Sequence, residues 1–221
     1  MAVYLILGAG KFGRLALKRL SQQDAGASLV MVDQDPQALQ EAQSLSLSRV
    51  TLVEAEAIAY LRDNLHDASP WDWLIPMVPI HVAYAWLSEA LKAEGGWKTL
   101  EVPRGVENLV PTASRGPQGE LYLSRATHLC PDDCGEPEVC PVSGEPRDRA
   151  LYEELAELTL PGWRILIIPS RQLAPGVGGY SPRELLNLSK GLSGYQGKVL
   201  IATACRCHGV AHTIRRRSRE R

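Results

Sequence analysis

Three cysteines, Cys130, Cys134 and Cys140, fall within "THLCPDDCGEPEVCP", and two more, Cys205 and Cys207, within "TACRCHG". In a reducing compartment, thiols at this density serve metal or redox chemistry more often than structural disulfides. Cys130-x3-Cys134-x5-Cys140 supplies three ligands from one loop, and Cys205-x-Cys207 supplies a fourth from a distant strand end, the number that a tetrahedral ion or a cubane cluster needs. Each loop cysteine is followed by Pro or Gly, turn chemistry that bends backbone around a bound centre as in iron–sulfur loops. Zinc is the second candidate, because His128, His208 and His212 can stand in for thiolate. The third is a set of free thiols or a reversible disulfide. A helix expected from about Val210 would place its N-terminus at Cys205 and Cys207 and lower their pKa values toward thiolate.

A second set of residues points to anion chemistry at the other end of the chain. Val3 to Leu7 is a continuous apolar run, the pattern of a strand covered on both faces, and Gly8-Ala9-Gly10-Lys11-Phe12-Gly13 follows it directly. A helix carried by Leu15, Leu17 and Leu20 comes next. Glycines at this spacing permit a tight turn, close approach of backbone to a pyrophosphate and close helix–strand packing, while the helix N-terminus faces the anion. Another apolar run, Ser28 to Val32, ends at Asp33, twenty residues beyond Gly13. Gly8, Gly10, Lys11, Phe12 and Gly13 are thus expected around the phosphates and Asp33 at the adenosine ribose. A carboxylate there repels a 2′-phosphate and favours NAD over NADP.

The stretch "LILGAGKFGRLALKRL", with "VMVDQDP" after it, resembles the Rossmann domains of NAD-dependent dehydrogenases and of potassium-uptake regulators of the TrkA N-terminal type. The resemblance covers roughly residues 1–90 and implies fold and cofactor, not substrate. In such dehydrogenases the loop after the fourth strand borders the nicotinamide. Here that loop holds Pro76, Pro79 and His81, so His81 is a candidate acid/base or carboxylate-orienting group; the alternative is a helix-start histidine bonded to backbone. Arg171, ahead of Gly176, Gly178, Gly179 and Ser181, is a second candidate, either at an anion loop or beside a turn that needs positive φ.

The elements that position these groups follow from periodicity. Helices are predicted over Pro36–Leu47, Ala55–Leu65, Asp148–Leu158 and Pro182–Leu192, with a helix beginning near His81. Strands are predicted over Val50–Val53, Trp73–Ile75, Thr99–Val102, Leu121–Ser124, Arg164–Ile168 and Lys198–Ala202. The fold class is α/β: a doubly wound, mostly parallel Rossmann sheet with a C-terminal βαβ extension, joined to that sheet or forming a small second lobe, and a cysteine-rich loop. The predicted domains are 1–104 for dinucleotide binding, 105–147 for a Pro/Gly-rich linker and cysteine loop, and 148–221 for a C-terminal α/β unit.

With 24 basic and 25 acidic residues in 221, overall charge gives no reason to expect nucleic acid. The C-terminal "RRRSRER" reads as a solvated basic end. "MAVYLILGAG" is too short an apolar run for a signal peptide, which leads to a cytoplasmic expectation. Trp73–Leu87, broken by two prolines and carrying His81, is too short for a membrane span. The expected function is an NAD-dependent oxidoreductase with a cysteine-bound iron–sulfur or zinc centre at the nucleotide edge. Its partner would be a small-molecule substrate or a redox protein, and homo-oligomerisation is left open. The alternatives are a nucleotide-sensing regulator of the TrkA N-terminal type and a Rossmann dehydrogenase of tetrapyrrole or metal handling, resembling those of sirohaem synthesis. A hydride carries two electrons and a cluster accepts one, so a cluster here would bind substrate, shape the loop or feed a partner holding the converter.

Overall fold

The computed structural model describes residues 1–92 and 97–216. Its first half alternates strand and helix: β1 (Val3–Leu7), α1 (Lys11–Gln23), β2 (Ser28–Asp33), α2 (Pro36–Gln43), β3 (Val50–Glu54), α3 (Ala57–Asn64), β4 (Trp73–Pro76) and α4 (Val82–Ala90). The four strands form a parallel sheet in the order β3-β2-β1-β4. Helix starts are set by local chemistry. The Asp35 carboxylate accepts from the Gln37 N–H with Pro36 in the first turn of α2, and the Glu56 carboxylate accepts from Ile58 and Ala59 at the start of α3.

The second half builds a separate sheet from β5 (Trp97–Leu100), β6 (Thr112–Arg115), β7 (Leu121–Ser124), β8 (Trp163–Pro169), β11 (Lys198–Ala204) and β12 (His208–Arg216). Its order is β6-β7-β12-β11-β8, with β5 pairing the far half of β12. Only β8 and β11 run parallel, connected through the short hairpin β9 (Arg171–Ala174)/β10 (Val177–Gly179) and α6 (Pro182–Leu192), while α5 (Leu151–Glu157) precedes β8. The molecule is therefore α/β with one parallel sheet and one largely antiparallel sheet. Segment 105–147, expected as linker and cysteine loop with a strand at Leu121–Ser124, contains that strand as β7 and adds β6, and β5 joins the second sheet rather than the first.

The expected helix near Val210 is a strand. β12 pairs antiparallel with β11 from Lys198↔Arg215 to Ala204↔Gly209, and Cys205 to His208 form the turn, closed by Cys205 N–H donating to His208 O at 2.8 Å. Ala211 to Ile214 are buried in succession, because β12 lies inside the sheet with both faces covered. Burial on both faces erases the alternation by which a strand is recognised. The C-terminal residues 217–221 of the basic end lie outside the described residues.

Three cores stack the layers. α1 and α2 cover one face of the first sheet through Leu17, Leu20 and Leu39. α3, α4 and α6 lie between the two sheets, where Leu61, Trp86 and Leu185 share a core with Leu5 and Leu7 on one side and Val199 and Ile201 on the other. α5 covers the outer face of the second sheet through Leu151 and Leu155. An antiparallel bridge between Leu74 and Tyr180 also ties the first sheet to the chain leaving β10. No described helix is long and apolar enough to cross a membrane.

Candidate functional site at the facing sheet edges

The three glycines of the first loop are required for three different reasons. Gly8 has φ +105°, and a Cβ there would lie 2.7 Å from the Met77 carbonyl oxygen, at the loop after β4. A Cβ at Gly13 would collide with the Gly8 carbonyl, which fixes how closely α1 approaches β1. A Cβ at Gly10 would meet nothing within 4 Å, so the backbone there faces open space at the N-cap of α1. No side chain caps this helix and its first turn holds no acidic residue, which leaves N–H groups free to point at an anion. Asp33, at the carboxyl end of β2, accepts from the Ala9 N–H at 2.6 Å and from the Asp35 N–H at 2.9 Å, so its carboxylate stands against the glycine loop. Phe12 is half exposed and Lys11 lies over its ring.

Opposite this edge, the two cysteine groups come together. A cavity of about 620 Å³ is walled by Phe12, Pro76 and Met77 on the glycine-loop side and by Cys130, Cys134, Cys205 and Cys207 on the other. A smaller adjoining cavity of about 250 Å³ holds Cys140 together with Cys130 and Cys207. The His208 ring stands between the two groups: Nε2 lies 3.7 Å from Cys130 Sγ and Nδ1 lies 4.0 Å from Cys205 Sγ. On the far side His128 Nε2 is 3.8 Å from Cys140 Sγ. Buried Arg147 reaches Cys134 Sγ at 3.9 Å and borders both cavities. All five thiols are free, and among the described residues no group of three or more His, Cys, Asp or Glu side chains is already drawn together closely enough to hold a metal ion.

The thiols differ sharply in electrostatics. Hydrogen bonds from the Ser143 hydroxyl and from the Ser143 and Val142 N–H groups lower the Cys140 thiol to about 6. Burial pushes Cys205 up to about 12 and raises Cys130 and Cys207 as well. This reverses the expectation of helix-lowered thiols at 205 and 207, since a strand turn replaces the helix whose dipole was invoked. The turn still directs the Cys207 and His208 N–H groups at Cys205 Sγ, at 3.5 and 3.4 Å, an arrangement that steadies a thiolate once charge forms.

The loop is pinned to its surroundings by polar contacts. Lys11 forms an ion pair with Asp132 at 2.6 Å, and Arg19 donates to the Asp132 and Pro175 carbonyls. Gly176 N–H and the Gln172 amide both donate to the Cys134 carbonyl. The β9/β10 hairpin thus holds the cysteine loop: a Cβ at Gly176 would collide with the Asp132 carbonyl, whereas one at Gly178 would meet Ser170 and one at Gly179 would meet Leu173 and the Leu74 carbonyl. Arg171, at its start, is exposed and turned away, donating to the Tyr152 hydroxyl at 2.8 Å and lying over that ring. His81 is the N-cap of α4 as its position suggested, yet it is buried between the sheets and borders a separate cavity.

A family model described as "AF_1314_C: Uncharacterized protein, C-terminal domain" matches residues 83–217. The chain belongs to this family. The match begins within α4 and takes in the second sheet and every cysteine, whereas the first sheet lies ahead of it. An "Uncharacterized protein" of Archaeoglobus fulgidus is 30% identical over 225 residues, spanning 96% of this chain and 99% of that protein, so the likeness extends over both sheets. No solved structure matches.

Sequence reasoning placed the glycines, Asp33 and the cysteines but gave no role to Arg147, Asp132 or Gln172. His128 and His208 carry a weak signal, each within two residues of a cysteine. Arg147 carries none, because its role depends on where the loop folds back.

Proposed function

We propose that the protein is an NAD(H)-binding oxidoreductase of Rossmann construction with a cysteine-ligated iron–sulfur or zinc centre at its nucleotide-binding edge. The observation that carries this reading is one cavity that Phe12 of the glycine loop, with Pro76 and Met77, shares with Cys130, Cys134, Cys205 and Cys207. The strand order β3-β2-β1-β4, with a glycine turn between β1 and α1 and an acid at the end of β2, suits a dinucleotide laid across the carboxyl edge of the sheet. Its pyrophosphate would occupy the open space beside Gly10 and the uncapped start of α1, and Asp33 would accept from the ribose hydroxyls in place of its present partners.

Two Cys–His pairs stand at separations that suit a shared metal, although among the described residues no three donors are yet drawn together around one point. Sulfur at about 2.3 Å and nitrogen at about 2.0 Å from one tetrahedral ion lie about 3.5 Å apart. The Cys130–His208 and Cys140–His128 separations of 3.7 and 3.8 Å are close to that edge. Cys130, Cys134, Cys140, Cys205 and Cys207 would supply thiolates, with His128 and His208 as the imidazoles within reach. The bound nucleotide would supply hydride chemistry. The residues around it would exclude water through Phe12 and Met77, place cationic Arg147 beside the thiolates, and hand electrons to a redox partner or position a small-molecule substrate.

A nucleotide-sensing role remains the second reading, favoured by the Lys11–Asp132 ion pair, which connects the glycine loop directly to the cysteine loop. Anaerobic purification with metal and sulfide analysis, followed by calorimetric titration with NAD and NADP, tests the proposal. Binding of NAD in preference to NADP, together with stoichiometric metal, is the expected outcome. A chain that takes neither nucleotide at millimolar concentration overturns it.

A further inference from the structure

His81 leads away from the nucleotide edge to a second cavity, of about 150 Å³, between α4 and the second sheet. Its ring is fixed at both nitrogens: Nε2 lies 3.1 Å from the Thr203 hydroxyl and Nδ1 lies 2.9 Å from Nδ1 of His212. His212 is only 3% exposed and stacks flat on Tyr84, with ring centroids 3.8 Å apart and planes at 8°. Its remaining nitrogen, Nε2, is buried and has no hydrogen-bond partner. Across from it, 3.9 Å away, stands a carboxylate oxygen of Glu120, whose side chain is 9% exposed.

The Glu120 carboxylate is held in place but its charge is uncompensated. One oxygen accepts from the Gln118 N–H at 2.9 Å and the other faces the Tyr122 hydroxyl at 3.4 Å. Among the described residues no Lys or Arg forms an ion pair with it, and His212 is the one cation-capable side chain within 4.0 Å. Burial lowers His212 to about 4, which leaves it neutral at physiological pH. A carboxylate taken out of water is strongly disfavoured unless a cation answers it.

We propose that this cavity is a binding site for a small organic ammonium compound, separate from the nucleotide and cysteine cavity. In the tautomer in which His212 Nδ1–H donates to His81 and His81 Nε2–H donates to Thr203, His212 Nε2 presents a bare lone pair toward Glu120; a bound cation would select this tautomer over the one that turns Nε2–H to the carboxylate. Two acceptors 3.9 Å apart then call for one centre carrying at least two N–H donors and a positive charge, and an ammonium nitrogen at about 2.8–3.0 Å from each spans that gap. Tyr84, stacked on His212, and Tyr122 line the same cavity and supply aromatic surface beside the cation and its alkyl chain.

The test uses the full chain labelled with 15N-histidine, titrated at pH 7 with n-butylammonium, with n-butanol as the neutral isostere and tetramethylammonium as the cation lacking N–H donors. The expected result is a saturable shift of the His212 and His81 ring resonances with butylammonium and at least tenfold weaker responses to the other two. Glu120→Gln, checked for native far-UV circular dichroism, should bind butylammonium at least tenfold more weakly. No saturable response of the unaltered protein up to 100 mM butylammonium, or equal responses to butylammonium and butanol, would overturn the proposal. The unaltered-protein comparison decides the matter even if Glu120→Gln does not fold.

Discussion

The glycine-loop edge and the cysteine edge face each other across one cavity, but they are built in opposite ways. The glycines, the helix start and the acid of the first lie within residues 8–33, placed by a strand, a tight turn and a helix, and the Met77 loop closes in on Gly8 from farther along the chain. The second is assembled from a loop at 130–147 and a hairpin turn at 205–208, and only the register of β11 against β12, with the grip of the β9/β10 hairpin on Cys134, brings them together. The first edge is set by short-range rules. The second depends on two lobes being packed and on the contacts of a loop poor in apolar residues, where binding of a metal would offset the entropy of ordering.

The comparison is broken most severely at Gly13. Gly13→Val puts side-chain atoms into the Gly8 carbonyl, and the chain should lose at least about 3 kcal/mol of stability, read as a fall in denaturant midpoint. Gly10→Val, three residues earlier, should leave that midpoint within about 0.5 kcal/mol while abolishing NAD binding, because its side chain enters open space where a pyrophosphate is proposed. Equal destabilisation by both would mean that the loop is purely structural.

At the cysteine edge, Cys130→Ser and Cys205→Ser should each lower the metal content of anaerobically purified protein at least threefold, although 75 residues separate them. Loss on one substitution and full metal on the other would show that the two groups do not share a centre.

The response to acid probes the second sheet. Burial, with His212 nearby, lowers His81 to about 3, and burial lowers His212 to about 4. The unfolded chain binds protons at both below about pH 6.5 while the folded chain holds them neutral. Their contribution is therefore intact above pH 6.5 and is lost as pH falls toward 4, by up to about 1.4 kcal/mol per unit for each histidine. Urea midpoints from pH 7 to pH 4.5 should show this slope, and His212→Gln should flatten it. The smallest effect belongs to the Lys11–Asp132 pair, exposed at 66% and 45% of its side chains. Lys11→Ala should change stability by no more than about 0.5 kcal/mol, so a larger loss would reveal a stronger link between the two edges than an exposed ion pair provides.

The same contrast explains what could be read from the sequence. Helix α6 begins and ends where Pro182 and Leu192 were expected, and the strand–glycine–helix unit is as the spacing of Gly8, Gly10 and Gly13 suggested, since short-range rules govern both. Thiol clustering was legible because cysteines are few and their spacing is conspicuous. The pairing that unites them was not, because β12 is covered on both faces and "HGVAHTIRR" lacks strand alternation. His81 sits where α4 starts, but the orientation of its ring is decided by His212, 131 residues later, a partner no local pattern announces. Arg171 is turned outward by Tyr152, another contact set by packing alone.

The central claim is that nucleotide and metal face each other in one cavity, and proton relaxation of bound NAD measures it directly. The protein is prepared with a paramagnetic centre, the reduced cluster or cobalt(II) in place of zinc, and compared with its diamagnetic counterpart. Strong broadening of the nicotinamide protons with little effect on the adenine protons is the predicted result. Equal broadening of both ends, or none at either in protein shown to hold metal and NAD together, would contradict it.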